Sequence, residues 1–346
     1  MRKRIALGAV VLLVAGVMAS LPANAEPKEG WFVFLEGINT QVLDTAQPTG
    51  TVVTFGDPLA GGAPDKFDHQ FVDWGTTVNG RIGFGKQWAN GNKLTVSYWA
   101  YDNDEDETRD LSTVNGFYSP FGYYYYYTAP APAHGRAPSG LGGTFFTFSR
   151  FDANVKASSI DVDFGHVHSV TDHFDFEWNL GMKFASYEDT NTVESGYTYT
   201  YTDGTQYDYF YREKMHTESD MWGFKAGARG TYNFGERFSL TAGLNLSKLM
   251  GDVESTTSLG VETPGFATTF FEDVAQDDNR SGTIADYDIM GMMHIGEHFD
   301  VGIGYEHSTW QGISKDLMRE HWDFPSRDEV GFAGWKIAVK YRFGGG

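Results

Sequence analysis

The chain has no cysteine, and only 11 of its 346 residues are proline. The first absence excludes a disulfide framework and any cysteine-based metal site or nucleophile. The second leaves long stretches free to keep a backbone hydrogen-bond ladder intact. Downstream of the N-terminus no apolar run approaches the roughly 20 residues that a membrane-spanning helix needs. Bases are also scarce: 26 Lys and Arg stand against 46 Asp and Glu, a formal charge of −20, which excludes nucleic acid as a partner. Neither a Gly-x-Ser-x-Gly nor a His-Glu-x-x-His pattern occurs. What the chain does have is glycine, 42 of it, together with 27 Phe, 19 Tyr and 9 Trp. That mixture suits strands that bend and pack in a barrel wall.

The N-terminus reads as an address. Arg2, Lys3 and Arg4 precede an apolar run from Ile5 to about Met18, and Ala23-Asn24-Ala25 supplies the small-x-small pattern of a signal peptidase site. Residues 1–25 are therefore expected to be a cleaved signal peptide. Residues 26–346 then form a single domain, and the loss of three cations takes the charge from −20 to −23. With no cysteine at the cleavage point, a lipoprotein is excluded.

The rest of the chain alternates. From Gly331 to Phe343 the odd positions Ala333, Trp335, Ile337, Val339, Tyr341 and Phe343 are apolar, whereas Lys336, Lys340 and Arg342 fall among the even ones. This is a strand with one apolar face and aromatics near both ends, as expected where an outer face crosses lipid. Phe174, Phe176, Trp178, Leu180, Met182 and Phe184 repeat the pattern, with a polar residue or glycine at every place between. About ten such segments follow one another, with eight or twelve as the alternatives. Very short turns, such as Ala89-Asn90-Gly91-Asn92 and Gly296-Glu297-His298, alternate with long polar inserts. A soluble sandwich has no reason for that rhythm. It predicts an all-β fold, a transmembrane antiparallel up-and-down barrel in the outer membrane, with short periplasmic turns and long extracellular loops. The partners that follow are outer-membrane lipid, lipopolysaccharide and the barrel-assembly machinery.

Several pieces resemble the pore-forming outer-membrane proteins first described from Legionella. They are Arg81-Ile82-Gly83-Phe84-Gly85 leading to Leu94-Thr95-Val96-Ser97-Tyr98, Asp161-Val162-Asp163-Phe164-Gly165, Leu180-Gly181-Met182-Lys183, Trp222-Gly223-Phe224-Lys225-Ala226-Gly227 and Leu249-Met250-Gly251. The resemblance implies a β-barrel with a pore-forming role and brings no catalytic residues. The chain departs from such barrels at its end, where Phe343 is followed by three glycines instead of finishing on the aromatic residue.

Placing the apolar rows on lipid turns the other rows inward. The expected lumen charges are the acids Glu36, Asp161, Asp163, Asp175, Glu177, Asp286, Asp288, Asp300 and Glu306, and the bases Arg81, Lys183, Lys225, Arg229, Lys336, Lys340 and Arg342. They either pair across a plugged interior or line a narrow charged channel. A small porin-like pore for ions and small solutes is the leading expectation.

The second reading is a closed structural or adhesin barrel that binds a surface ligand through Tyr-rich loops. Its candidates are Tyr123, Tyr125, Tyr127, Tyr199, Tyr201, Tyr207 and Tyr209. Asp203-Gly204 is expected to close a two-residue hairpin that pairs Thr200 with Tyr207 and sets the two Tyr rows on opposite faces. An omptin-like rim protease comes third. Asp161 and Asp163 differ in parity from His166 and His168, so one strand points the acids and the imidazoles to opposite faces. Glu306 with His307, and His216 with Glu218, find no further partner in the sequence. Asp102-Asn103-Asp104-Glu105-Asp106-Glu107 lacks the glycine and the closing glutamate of a calcium loop and reads as a solvated acidic rim. The expectation is no enzyme, no cofactor and no metal site.

Overall fold

A computed structural model describes residues 29–43, 48–54, 66–71, 74–110, 117–118, 148–200, 206–262, 269–313 and 329–344. The strands are β1 (Gly30–Leu43), β2 (Pro48–Thr54), β3 (Lys66–Phe71), β4 (Thr76–Gln87), β5 (Asn92–Asp110), β6 (Phe117–Tyr118), β7 (Phe148–Thr171), β8 (Phe174–Thr200), β9 (Gln206–Phe234), β10 (Phe238–Glu262), β11 (Thr269–Ile295), β12 (Phe299–Gln311) and β13 (Glu329–Phe343). Ten of them close an antiparallel barrel in the ring order β1, β13, β12, β11, β10, β9, β8, β7, β5, β4, and β3, β2 and β6 form a separate small sheet. The last strand seals against the first, from Trp31 opposite Phe343 to Leu43 opposite Gly331. The expected signal peptide lies outside the described residues.

The outer face explains the alternation. On β8 the even positions Phe174 to Phe184 form an apolar row about as long as the roughly 10 residues a tilted strand needs to cross a bilayer. Above it the same row turns polar, at Ser186, Glu188 and Thr190. Val78 is 77% exposed and Phe224 71% exposed, as suits side chains that lie against lipid. Trp74, which the even spacing of Val78, Ile82 and Phe84 assigns to the outer row from sequence, is instead buried, and its carbonyl accepts a hydrogen bond from Gln41 Nε2 at 3.2 Å. It lies before the start of β4, so strand parity does not govern it.

Much of what reads as loop is strand. β8 and β9 run for 27 and 29 residues, far beyond the apolar row. Thr, Ser and Tyr alternate there with other polar residues, and that pattern keeps a ladder while facing water on the outside. The register of the β8–β9 pair departs from the one a two-residue Asp203-Gly204 turn would set. Thr200 pairs with Gln206, Tyr199 with Tyr207 and Tyr197 with Tyr209, so the Tyr rows are in register with each other. The register differs by one residue from the expected pairing, which exchanges the faces.

Three short turns each place a glycine at positive φ: Gly91 at 84°, Gly235 at 74° and Gly296 at 66°. A Cβ on Gly235 would meet nothing within 4 Å, so the cost of a side chain there is conformational alone. Gly235→Val is expected to destabilise the barrel by about 1–2 kcal/mol, read from the urea midpoint of tryptophan fluorescence. An unchanged midpoint would mean that the turn tolerates another backbone path.

Inside the extracellular half the barrel is packed with apolar side chains. Ile38, Val155, Leu249, Ile284 and Trp310 are almost fully buried there and belong to one continuous core. Tyr187 joins them and donates to Asp189 at 2.9 Å. Burial and the Asp189 carboxylate push its hydroxyl well above the usual phenol range, so it remains a donor.

Candidate functional site

Below that core the inward rows of the strands converge on charge. All the charges expected from parity line one cavity of about 610 Å³, and Lys93 joins them. Sequence reasoning missed Lys93, although it precedes Leu94 on the opposite row. With it, and with Asp172 and Glu236 near the short turns, eleven acids face eight bases, a net of −3.

Most of the charges are paired, and many pairs reach past a neighbouring strand. Arg81 on β4 holds Glu36 on β1 at 2.6 Å and Glu306 on β12 at 2.9 Å. Two other strands separate β4 from β12 in the ring, so this contact crosses lumen space. Lys336 on β13, whose side chain is 2% exposed, lies within 4 Å of three carboxylates. They are Asp288 and Glu306, both at 3.2 Å, and Glu36 at 3.8 Å. Arg229 takes the other oxygen of Asp288 at 3.1 Å. A second cluster joins β7, β8, β9 and β11. There Lys183 contacts Asp286 at 3.0 Å and Asp161 at 3.4 Å, while Lys225 contacts Asp161 at 3.0 Å and Asp163 at 2.7 Å.

Nearer the short turns, Lys93 holds Glu177 at 2.8 Å and Arg342 holds Asp300 at 3.0 Å. Asp175 is satisfied without a cation, by Ser169 and by Asn233 at 3.0 Å. Lys340 sits 4.3 Å over the ring of Phe32, with no ion-pair partner among the described residues.

The roof of the cavity is aromatic. Trp99 packs against Trp310 with ring centroids 5.9 Å apart and against Phe332 at 5.4 Å, and Tyr101 lies 5.2 Å from Phe332. None of these four lines the cavity. The two indole donors are tied off, since Trp99 Nε1 donates to Asn79 at 3.1 Å and Trp310 Nε1 to Ser308 at 2.7 Å. Ser308 in turn donates to Asp286, which connects the roof to the ion-pair belt. At the other end the cavity reaches Asp172, Gly235 and Glu236 at the short turns. The geometry is a charged cavity that reaches the short turns at one end and lies below an apolar layer at the other.

The Asp and His candidates for a rim protease are not brought together. Asp161 and Asp163 are inside on their lysines, whereas His166 stacks on Trp178 at 6.2 Å on the lipid face. His216 Nε2 is 3.9 Å from Glu218, and His307 stacks on Tyr287 at 4.8 Å. Tyr199, Tyr207 and Tyr209 belong to the β8–β9 extension. Tyr123, Tyr125, Tyr127 and Tyr201 are outside the described residues. Among the described residues no cluster of His, Asp and Glu is arranged to hold a metal.

The chain is similar to several solved outer-membrane barrels. They include the outer membrane protease OmpT from Escherichia coli, at 10% identity, 92% of this chain, 99% of that one and a TM-score of 0.43. Ail, the attachment invasion locus protein of Yersinia pestis, matches at 7% identity over 92% and 100% of the two chains, with a TM-score of 0.28. The Pseudomonas putida toluene transporter TodX matches at 8% identity over 94% and 92%, also with a TM-score of 0.28. No curated protein matches. These likenesses speak to fold alone and assign no activity. They give no support to the expectation that the chain is no enzyme, since a protease is one of the barrels it is similar to.

The Legionella-type resemblance is corrected to something broader. Pieces such as Leu180-Gly181-Met182-Lys183 are what a lipid-facing strand with a filled lumen requires, so they do not separate one barrel family from another. Residues 143–343 match the family model described as the outer membrane protein beta-barrel domain. The chain belongs to that family of outer-membrane β-barrels.

Proposed function

We propose that the protein is a closed outer-membrane barrel whose activity toward the surroundings resides in the strand extension and loops above the lipid. The observation that carries this reading is the apolar roof. Trp99, Tyr101, Trp310 and Phe332 cap the charged cavity, and a pore would need a wetted path where these rings touch. The ion-pair belt below it stiffens the wall and ties β4 to β12 and β8 to β11. The long β8–β9 ladder, which runs far beyond the lipid-facing row, offers a stiff platform for a glycan or protein ligand.

A small pore is the second reading, favoured by the cavity of about 610 Å³ and its charged walls. Planar-bilayer recording of the purified protein separates the two. Inserted, heat-modifiable barrels are expected to pass no current, and regular unitary steps in the unmodified protein would favour the pore.

A further inference from the structure

Three side chains meet at the short-turn end of the cavity. Ser239 lies near the start of β10, His294 near the end of β11 and Asp300 near the start of β12. The ladders bring them to one level: His294 is directly opposite Asp300, and Ser239 is opposite Met292, two residues along the same face from His294. Ser239 Oγ is 3.1 Å from His294 Nε2, and His294 Nδ1 is 2.7 Å from Asp300 Oδ1. Ser239 and Asp300 are buried in the wall, and all three residues line the cavity. This is the nucleophile, base and orienting carboxylate in their usual order, each within hydrogen-bond reach of the next.

Two further groups point to a ligand. Arg342 holds the second oxygen of Asp300 at 3.0 Å, yet its own Nε is buried without a hydrogen-bond partner. That unsatisfied buried donor is open to an anionic group of a ligand in the cavity. Lys340 lines the same cavity and faces the ring of Phe32 in place of a carboxylate. A cation and an aromatic face in a cavity of this size suit a small ligand with one anionic and one apolar end.

We propose that Ser239, His294 and Asp300 form an acyl-transfer site that hydrolyses a small anionic ester entering from the periplasmic side. His294 keeps its Nδ1 proton on Asp300 and takes the Ser239 proton at Nε2. Ser239 Oγ bonds to the ester carbonyl carbon, and the displaced electron pair moves to the carbonyl oxygen. Collapse breaks the ester C–O bond, and His294 returns the proton to the departing alkoxide, releasing an alcohol. Water then attacks the acyl-serine, again giving its proton to His294. The carboxylic acid leaves, and Ser239 is restored. Asp300 is a positioning residue here.

Diisopropyl fluorophosphate, small enough for the cavity, is the first probe. Folded wild-type barrel is expected to gain one adduct, mapped by mass spectrometry to Ser239, and Ser239→Ala to gain none. His294→Gln should slow labelling by at least about 100-fold, the usual share of a general base. Heat-modifiable mobility shows that each variant is folded. Lys340→Met should lower the hydrolysis of mono-4-nitrophenyl succinate relative to 4-nitrophenyl acetate, and an unchanged ratio overturns the anionic substrate class. A folded wild type that takes no label, or a His294→Gln variant labelled as fast as wild type, overturns the site and leaves a structural hydrogen-bond chain.

Discussion

Lys336→Met is expected to lower the unfolding free energy of the barrel by about 3–5 kcal/mol, the usual cost of breaking a buried ion pair by removing one partner. Lys336 is 2% exposed, with Asp288, Glu306 and Glu36 around its ammonium. Its loss leaves a group of carboxylates facing Arg81 and Arg229 alone. If instead the lumen were a wide aqueous channel, water would screen the same carboxylates and the change would stay within about 1 kcal/mol. Glu306→Gln in the Lys336→Met background should return part of the loss, because it removes one of the uncompensated charges. The coupling in that double-mutant cycle is the quantity to measure, by urea titration in lipid vesicles. Additive effects would mean that the belt is wet.

Trp310→Ala is expected to cost a similar amount, about 3–5 kcal/mol, through the cavity it opens against Trp99 and Phe332. Trp310→Phe separates the two contributions of the residue. It keeps a ring in the roof but removes the donor to Ser308, so it should cost only about 1 kcal/mol, the worth of an ordinary hydrogen bond. Equal effects from the two variants would place the value of Trp310 in its hydrogen bond and leave the apolar roof without a role in stability.

The barrel was legible in the sequence because lipid demands an apolar residue at every second place and a closed ring demands that the last strand meet the first. Parity alone carried Glu36, Arg81, Asp161, Asp288 and Lys336 to the lumen side. It did not reveal who pairs with whom, since Arg81 reaches Glu306 across a distance set by the closed ring rather than by any ladder. The roof was missed for another reason. Trp99 and Phe332 lie on inward rows, but an inward aromatic above the membrane resembles an outward one unless the end of the lipid-facing row is located first. The Tyr hairpin failed by one residue because Asp203-Gly204 reads as a two-residue loop, whereas Thr200 pairs with Gln206 and not with Tyr207. Ser239, His294 and Asp300 are brought together only by the registers of two hairpins, so no local motif announces them.

The central claim is that an apolar layer, and not the charged belt, closes this barrel. Planar-bilayer conductance of Trp99→Ala/Trp310→Ala beside the unmodified protein tests it most directly, with heat-modifiable mobility as the check on folding. The roof geometry predicts silence from the unmodified barrel and a small, steady conductance from the double variant. Current through the unmodified barrel, or silence from the folded variant, would contradict it.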